Sequence, residues 1–454
     1  MGQSLKEKDI ASSLHPFTNL RAHKENGPHI ISRGEGIYVW DDEGKKMLEG
    51  MSGLWCASLG FSEQRLVDAA TRQLQTMPYT HLFSHRANEP AIELADELIR
   101  IAPGDLTRAY FVNSGSEAVD TAIKIAWYYF NAIGKPTKKK FIARKRAYHG
   151  VTIAGGSLTG LPYVQEGFDL PAIDVIHTET PHHYRYAKEN ETELEFSTRI
   201  VEILEQEILD AGPENIAAYI AEPVMGAGGV LIPPEGYFEK IQALLKKYDI
   251  LFIADEVICG FARTGNMWGS QTYGINPDIL TCAKQLSSAY VPIGAVLINN
   301  KVYEPLEQYS DQLGMFGTGN TYGGHPVCAA VALETLRIYE ERNIVDTVNA
   351  RSERFAQRIA ALGNHPLVGH SRSVGLIGAI EIVQDKSTKG QFPVADKVAA
   401  KVMAAAREHG ILVRATPGDG VAFCPPLIIE DDQIDELFDG IQLALDDVRR
   451  AMSA

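Results

Sequence analysis

This 454-residue chain is poor in several features, and each scarcity removes a class of function. Its five cysteines, Cys56, Cys259, Cys282, Cys328 and Cys424, are odd in number, scattered and without a CxxC pair. Neither a disulfide framework nor a thiolate metal site is indicated, and a reducing, cytoplasmic setting fits. Bases are outnumbered, 43 against 58 acids, for a formal charge of −15. That balance argues against nucleic-acid binding, which needs a basic face, but leaves room for a local basic pocket. No apolar run approaches membrane-spanning length, so no membrane span is expected. The opening MGQSLKEKDIASS has no apolar core of a secretory signal, and Lys6 stands where a myristoylation signal needs Ser or Thr. Missing GxGxxG and GxxxxGK[ST] patterns speak against dinucleotide and P-loop chemistry. The pair His182-His183 has no partner at metal-ligand spacing, so no metal is assigned.

What is present is the composition of a globular protein with a large core, 45% hydrophobic and 22% charged. Residues 1–35 read as polar and irregular, 36–50 as a hairpin turning at Asp41-Asp42-Glu43-Gly44, and 51–61 as a Gly-rich loop with an exposed Trp55. Helical spacing marks 63–77 and 88–102. From Thr107, strands at 108–112, 141–144, 172–177, 217–221, 250–254, 279–282 and 295–299 alternate with helices such as 116–131, 195–210 and 236–248. This interleaving predicts an α/β fold, a mainly parallel sheet with helices on both faces. A long helix, 325–341, leads out of it. Helix 350–362, strand 375–383, helix 394–409 and helix 431–452 then read as a smaller α+β domain.

Two residues in the stretch 250–295 carry the chemistry. Asp255 follows the apolar run Leu251 to Ala254, and Lys284 follows Ile279, Leu280, Cys282 and Ala283. Both runs suit strands buried on two faces. The C-terminal end of a parallel strand is where α/β proteins place their chemistry. An ammonium there is costly unless paired or covalently used. Pyridoxal phosphate would explain both residues, because it forms a Schiff base with a lysine and its pyridinium nitrogen needs an anionic partner. Val257, two residues on, would share Asp255's face and pack under the ring. Taken alone, the two residues are better explained by an ordinary buried ion pair.

Other segments read in two ways. Asn113-Ser114-Gly115-Ser116-Glu117 turns from a strand into a helix, either as a phosphate cradle or as plain N-capping. The glycine-rich window 316–326, FGTGNTYGGHP, precedes a helix and is either a second cradle or a long loop. In Tyr148-His149-Gly150 the tyrosine either stacks on a planar ring or packs in the core. Glu222 ends another strand, near a cofactor or as a loop cap. Arg414 has a planar fork suited to a carboxylate, or is a surface arginine.

Taken in order, GLWC, NSGSEA, YHG, AEPV, ADEV with GFARTG, the lysine and TYGGHP resemble the class III aminotransferases, pyridoxal-phosphate enzymes of fold type I, and within them the ω-transaminases of amine:pyruvate type. The resemblance covers about residues 36–449. The lysine motif is AKQLSSAYVPIGA in place of the commoner AKGLTSGY form, departing at Gln285, Ser287 and Ala289. The resemblance implies a seven-stranded sheet in a large domain, residues 61–330. It also implies a small domain, 331–454, against which an N-terminal segment, 1–60, packs. It implies that Lys284 forms the Schiff base, Asp255 pairs with the pyridine nitrogen, Val257 and Tyr148 lie on the two ring faces, and Gly115 and Ser116 hold the phosphate. Glu222 would sit near the ring, and Trp55, Phe83, Tyr148 and Ala227 would line the substrate pocket. Arg414 would bind the keto-acid carboxylate and swing away for amines without one. Thr321 would reach the phosphate of a neighbouring subunit, which makes the enzyme a homodimer with shared sites, alone or paired into a tetramer.

The activity implied is ping-pong transamination between a primary amine or ω-amino acid and a keto acid, pyruvate first. Candidate donors are β-alanine, taurine, diamines and arylalkyl amines. The alternatives on the same scaffold are an aminomutase, a dialkylglycine-type decarboxylase, or an α-ketoglutarate-dependent ω-amino-acid aminotransferase.

Overall fold

The computed structural model describes residues 3–453. Its centre is a seven-stranded sheet in the order Leu106–Val112, Gly294–Asn299, Ile279–Cys282, Leu251–Asp255, Ile216–Ala221, Lys140–Arg144 and Val175–Thr178. Gly294–Asn299 is antiparallel to both of its neighbours, and the other six strands run in one direction. Every residue of Ile216–Ala221, Leu251–Asp255, Ile279–Cys282 and Gly294–Asn299 is buried, because helices cover both faces. Alternate residues feed separate cores. Leu251 and Ile253 join Phe130 and Phe141 on one face, while Phe252 and Ala254 join Phe196 and Phe238 on the other. Burial of each large side chain contributes about 1.5–3 kcal/mol.

The expected strands all occur, 279–282 with unchanged ends and the others with shifted ones; 172–177 becomes Val175–Thr178. The first 35 residues are more regular than their sequence reads. They hold helices Leu5–Ser12 and Leu20–Asn26 and the strand Ile31–Glu35. That strand extends the expected hairpin, Tyr38–Asp41 and Lys46–Glu49, into a sheet completed by Ile411–Leu412 running parallel to Lys46–Glu49. Ser4, with Glu7, and Asn19 cap the two helices, a local signal without any apolar periodicity behind it.

Helix Pro326–Glu341 leads from the large sheet across helices Gln64–Thr76 and Glu89–Ile101. Beyond it lies a second antiparallel sheet, Val368–Val374, Ile377–Ile382, Gly420–Phe423 and Arg414–Thr416, backed by helices Ile344–Leu362, Val398–Glu408 and Asp431–Ser453. No helix among the described residues is long and apolar enough to cross a membrane.

Candidate active site

The chain's direction in the sheet gathers the site. Asp255 ends its strand, Glu222 follows Ile216–Ala221, Lys284 lies two residues past Ile279–Cys282, and Ser114–Ser116 and Tyr148-His149 follow the ends of Leu106–Val112 and Lys140–Arg144. All therefore emerge at one carboxyl edge. There they line a cavity of about 310 Å³ with Trp55, Ala227, Val257, Tyr163, Gly150 and Arg414.

Asp255 is buried and held on three sides. His149 Nδ1 lies 2.7 Å from Oδ2, and Oδ1 accepts from the Val257 N–H at 3.2 Å and the Thr281 hydroxyl at 3.3 Å. Glu222 is buried as well and accepts the Tyr148 and Gly226 N–H groups at 3.1 and 2.8 Å. Burial raises its carboxyl above the ordinary glutamate range, against the pull of His149. Lys284 sits at φ +47°, a left-handed conformation that aims its side chain into the cavity. Burial lowers its amine below the usual lysine range, opposed by Cys56, Asp255 and Glu222. Beside it, Gln285 donates to the Ile258 and Gly260 carbonyls at 2.7 and 3.0 Å and accepts from Arg263 at 3.3 Å. This departure from the commoner lysine motif thus anchors the lysine's turn to the loop that follows Asp255.

The helix Gly115–Ala132 begins at the cavity wall. Ser114 caps it by accepting the Glu117 N–H at 3.1 Å, and Glu117 turns back to the Asn113 N–H at 2.7 Å. Its free N–H groups and dipole end suit a phosphate. Only glycine fits at the two tight points. A Cβ on Gly115 would come 2.9 Å from Val257 Cγ1, and one on Gly150 2.6 Å from Ser116 Oγ. A lysine, a buried acid facing it and a glycine-walled helix terminus match the aldehyde, the ring nitrogen and the phosphate of pyridoxal phosphate.

Of the residues expected from sequence, Lys284, Asp255, Gly115, Ser116, Tyr148, Glu222, Val257, Trp55, Ala227 and Arg414 are brought together around this cavity. Trp55 is buried, not exposed, because a short kinked helix, Ser52–Trp55, turns it inward and leaves Leu54 outside. Phe83 and Thr321 are elsewhere: both are exposed, Phe83 packs where a Cβ on Gly319 would sit, and Tyr79 donates to the Thr321 carbonyl at 2.9 Å. The window 316–326 is tied to the phosphate turn through Asn320, which donates to Glu117 at 3.0 Å. His149, Thr281 and Tyr163 received no role from sequence. His149 adjoins an identified residue, but nothing in the chain links it to an aspartate 106 positions away.

The Aminotransferase class-III family matches residues 20–445. The chain belongs to the class III aminotransferases. It is 51% identical over 425 residues to a gamma aminobutyrate transaminase 1, mitochondrial, of Solanum lycopersicum, spanning 93% of this chain and 82% of that one. It is 48% identical over 438 residues to a vanillin aminotransferase of Capsicum chinense, spanning 96% and 95%. The solved ω-transaminase of Pseudomonas jessenii in complex with PMP superposes with a TM-score of 0.97 at 52% identity, covering 99% of each chain. This chain is therefore an aminotransferase of fold type I, and pyridoxal phosphate is its cofactor.

Proposed function

We propose that this aminotransferase moves the amino group of a primary amine or ω-amino acid to a keto acid, with pyruvate as the acceptor, in two ping-pong half-reactions. The observation that carries this reading is Arg414. It faces the cavity beside the aromatic side chains Trp55, Tyr148 and Tyr163 and makes no ion pair among the described residues. An unpaired guanidinium in an aromatic pocket suits a substrate carboxylate, while the aromatic walls suit amines without one.

Bound pyridoxal phosphate supplies an aldehyde that condenses with amines and a ring that withdraws electrons from the adjoining carbon. Lys284 binds that aldehyde between turnovers. Its amine, whose charged form burial disfavours, takes a proton from the donor carbon and later returns one to the acceptor's carbonyl carbon. Asp255, fixed by His149, Thr281 and the Val257 N–H, holds a proton at the ring nitrogen. Gly115 and Ser116 hold the phosphate at the helix terminus. Val257 and Tyr148, which line the cavity, would lie against the two ring faces, and Ala227 would leave room beside Trp55 for the donor's side chain.

Thr321 and Phe83, displaced from their own cavity, are read as contributions to a neighbouring subunit's site, so the working unit is a homodimer. The N-terminal strand Lys46–Glu49 pairs with Ile411–Leu412, which supports grouping residues 1–60 with 331–454 as the small domain. Five free cysteines fit a reducing compartment such as the cytoplasm.

A second reading makes the donor γ-aminobutyrate, supported by the relatives of that name. One experiment separates the two. The pyridoxal-phosphate-loaded enzyme is mixed with pyruvate and either 1-phenylethylamine or γ-aminobutyrate, and acetophenone or alanine is followed. Acetophenone dependent on both reactants supports the amine:pyruvate reading. Alanine from γ-aminobutyrate alone moves the enzyme to ω-amino acids, and no alanine from either donor sinks the pyruvate assignment.

A further inference from the structure

Helices Leu5–Ser12 and Leu20–Asn26 form a hairpin over the active site, yet neither buries a single residue. The turn between them brings Pro16 and Phe17 to the cavity rim, with Phe17 edge-on to Tyr163 at 6.4 Å. Helices of 8 and 7 residues do not persist alone in water, so contacts between them must hold the hairpin. Lys6 lies across Gly27 so closely that a Cβ there would meet Lys6 Cε at 2.2 Å. The other contact is a cluster. His15 Nε2 is 3.0 Å from both oxygens of Asp9, and His23 Nε2 is 3.0 Å from Asp9 Oδ2. The two imidazoles lie side by side, tilted by 31° with centroids 4.1 Å apart, and one donor atom from each of the three residues lies within 4.8 Å of the others.

We propose that Asp9, His15 and His23 form a binding site for a divalent cation of the zinc type, which clasps the hairpin and holds Phe17 over the active-site cavity. Two imidazole nitrogens and a carboxylate oxygen are a donor set zinc takes, with a fourth position left for water. Bonds of about 2.0–2.1 Å place tetrahedral ligand atoms roughly 3.3 Å apart, so the observed 3.0 Å spacings need to open by only a few tenths of an ångström. The side chain of His15 is 33% exposed and that of Asp9 23%, which gives the ion a path in, while His23 is nearly covered at 9%. Without metal, N–H donation from the imidazoles to Asp9 closes the same hairpin more weakly. The ion therefore tightens a geometry the chain already favours. The buried group His182, His370 and Glu381 is the other such cluster among the described residues. It is a poorer site, because Arg185 and Arg372 already pair with Glu381 and repel a cation.

The test uses the chelator-treated, pyridoxal-phosphate-loaded enzyme. Zn²⁺ binding is measured by calorimetry in the wild type, His23→Gln and Asp9→Asn. Trypsin cleavage at Arg21 and Lys24, which lie on the second helix, is timed with and without Zn²⁺. The expected result is one more equivalent bound by the wild type, at least about tenfold weaker binding in both variants, and Zn²⁺ slowing of cleavage in the wild type only. Cofactor absorbance checks that the variants keep the site intact. Equal binding in all three proteins overturns the site. Binding lost in the variants but without protection from trypsin overturns the clasp.

Discussion

His149 Nδ1 meets Asp255 Oδ2 at 2.7 Å in a fully enclosed contact. A carboxylate only accepts, so the shared proton belongs to Nδ1, and Nε2, which has no partner among the described residues, carries none when the ring is neutral. The histidine thus fixes the carboxylate proposed to pair with the cofactor's ring nitrogen. His149→Ala should lower kcat by roughly tenfold to a hundredfold, the worth of a hydrogen bond to a charged group. His149→Asn, whose amide nitrogen can take the place of Nδ1, should recover part of it. Steady-state kinetics of the three proteins checks this, and an unchanged kcat in His149→Ala would remove the supporting role.

Gly150 has φ +102°, and a Cβ there would come 2.9 Å from Ser116 Cα. Neither the backbone nor the helix terminus can yield cheaply. Gly150→Ala should cost about 1–3 kcal/mol in stability and loosen the phosphate turn, so the variant should lose cofactor on dialysis. The visible absorbance retained after dialysis, together with the unfolding midpoint, reads both effects.

Glu256 is buried beside Asp255 and accepts the Gly269 and Ser270 N–H groups at 3.0 and 2.5 Å. Burial lifts its carboxyl from 4.5 to about 7. The folded state therefore binds this proton more tightly than the unfolded chain. The stability it contributes is fully present below pH 4.5 and is lost as pH rises through about 7. Glu256→Gln cannot titrate, so the stability gap between wild type and variant should narrow across that window by about 3 kcal/mol. Denaturant unfolding at the two ends of the window measures it. A constant gap would show that Glu256 titrates in the folded protein as it does in the unfolded chain.

The apolar strands before Asp255 and Lys284 were legible because a strand buried on both faces has a continuous apolar run. The ordered motifs then placed ten of the expected side chains around one cavity. What could not be read depends on tertiary contact. Trp55 sits in a Gly-rich stretch that looks like surface, and only a left-handed turn at Ser52, Gly53 and Trp55 buries it. Pro16 and Phe17 belong to a polar segment whose helices rest on caps rather than on apolar periodicity. Phe83 illustrates the opposite limit: the resemblance gave it a place in the substrate pocket, yet it is exposed and lies outside that cavity.

Thr321 gives a direct test of that sharing. It is exposed on a loop outside the cavity of its own chain, and its neighbour Asn320 ties that loop to Glu117. Thr321→Glu should place a carboxylate against the neighbouring phosphate and weaken cofactor binding by charge repulsion. Lys284→Ala should be inactive outright. Mixing the two variants after mild dissociation should restore turnover, because each mixed dimer has one site with both native residues. No recovery in mixtures shown by mass spectrometry to contain the mixed dimer would place Thr321 outside the shared site.

Arg414 and the aromatic wall divide the pocket's work. Arg414 opens the strand Arg414–Thr416, held to Gly420–Phe423, so its backbone is fixed while its long side chain can reorient. Burial raises the Tyr148 and Tyr163 phenols, and Arg414 pulls both back, which places its charge within reach of both rings. A carboxylate entering there gains a paired charge, whereas an arylalkyl amine gains only apolar contact. Removing the guanidinium should therefore act on one half-reaction. Arg414→Ala should reduce kcat/KM for pyruvate by roughly thirtyfold, about 2 kcal/mol for a half-exposed pair. It should leave the half-reaction with 1-phenylethylamine within about twofold of wild type. Arg414→Lys should fall between, since an ammonium keeps the charge but not the fork. Single-turnover absorbance changes of the cofactor, followed separately for donor and acceptor, resolve the two halves. An equal loss in both would make Arg414 a structural support of the pocket, and no loss in either would send the carboxylate to another cation.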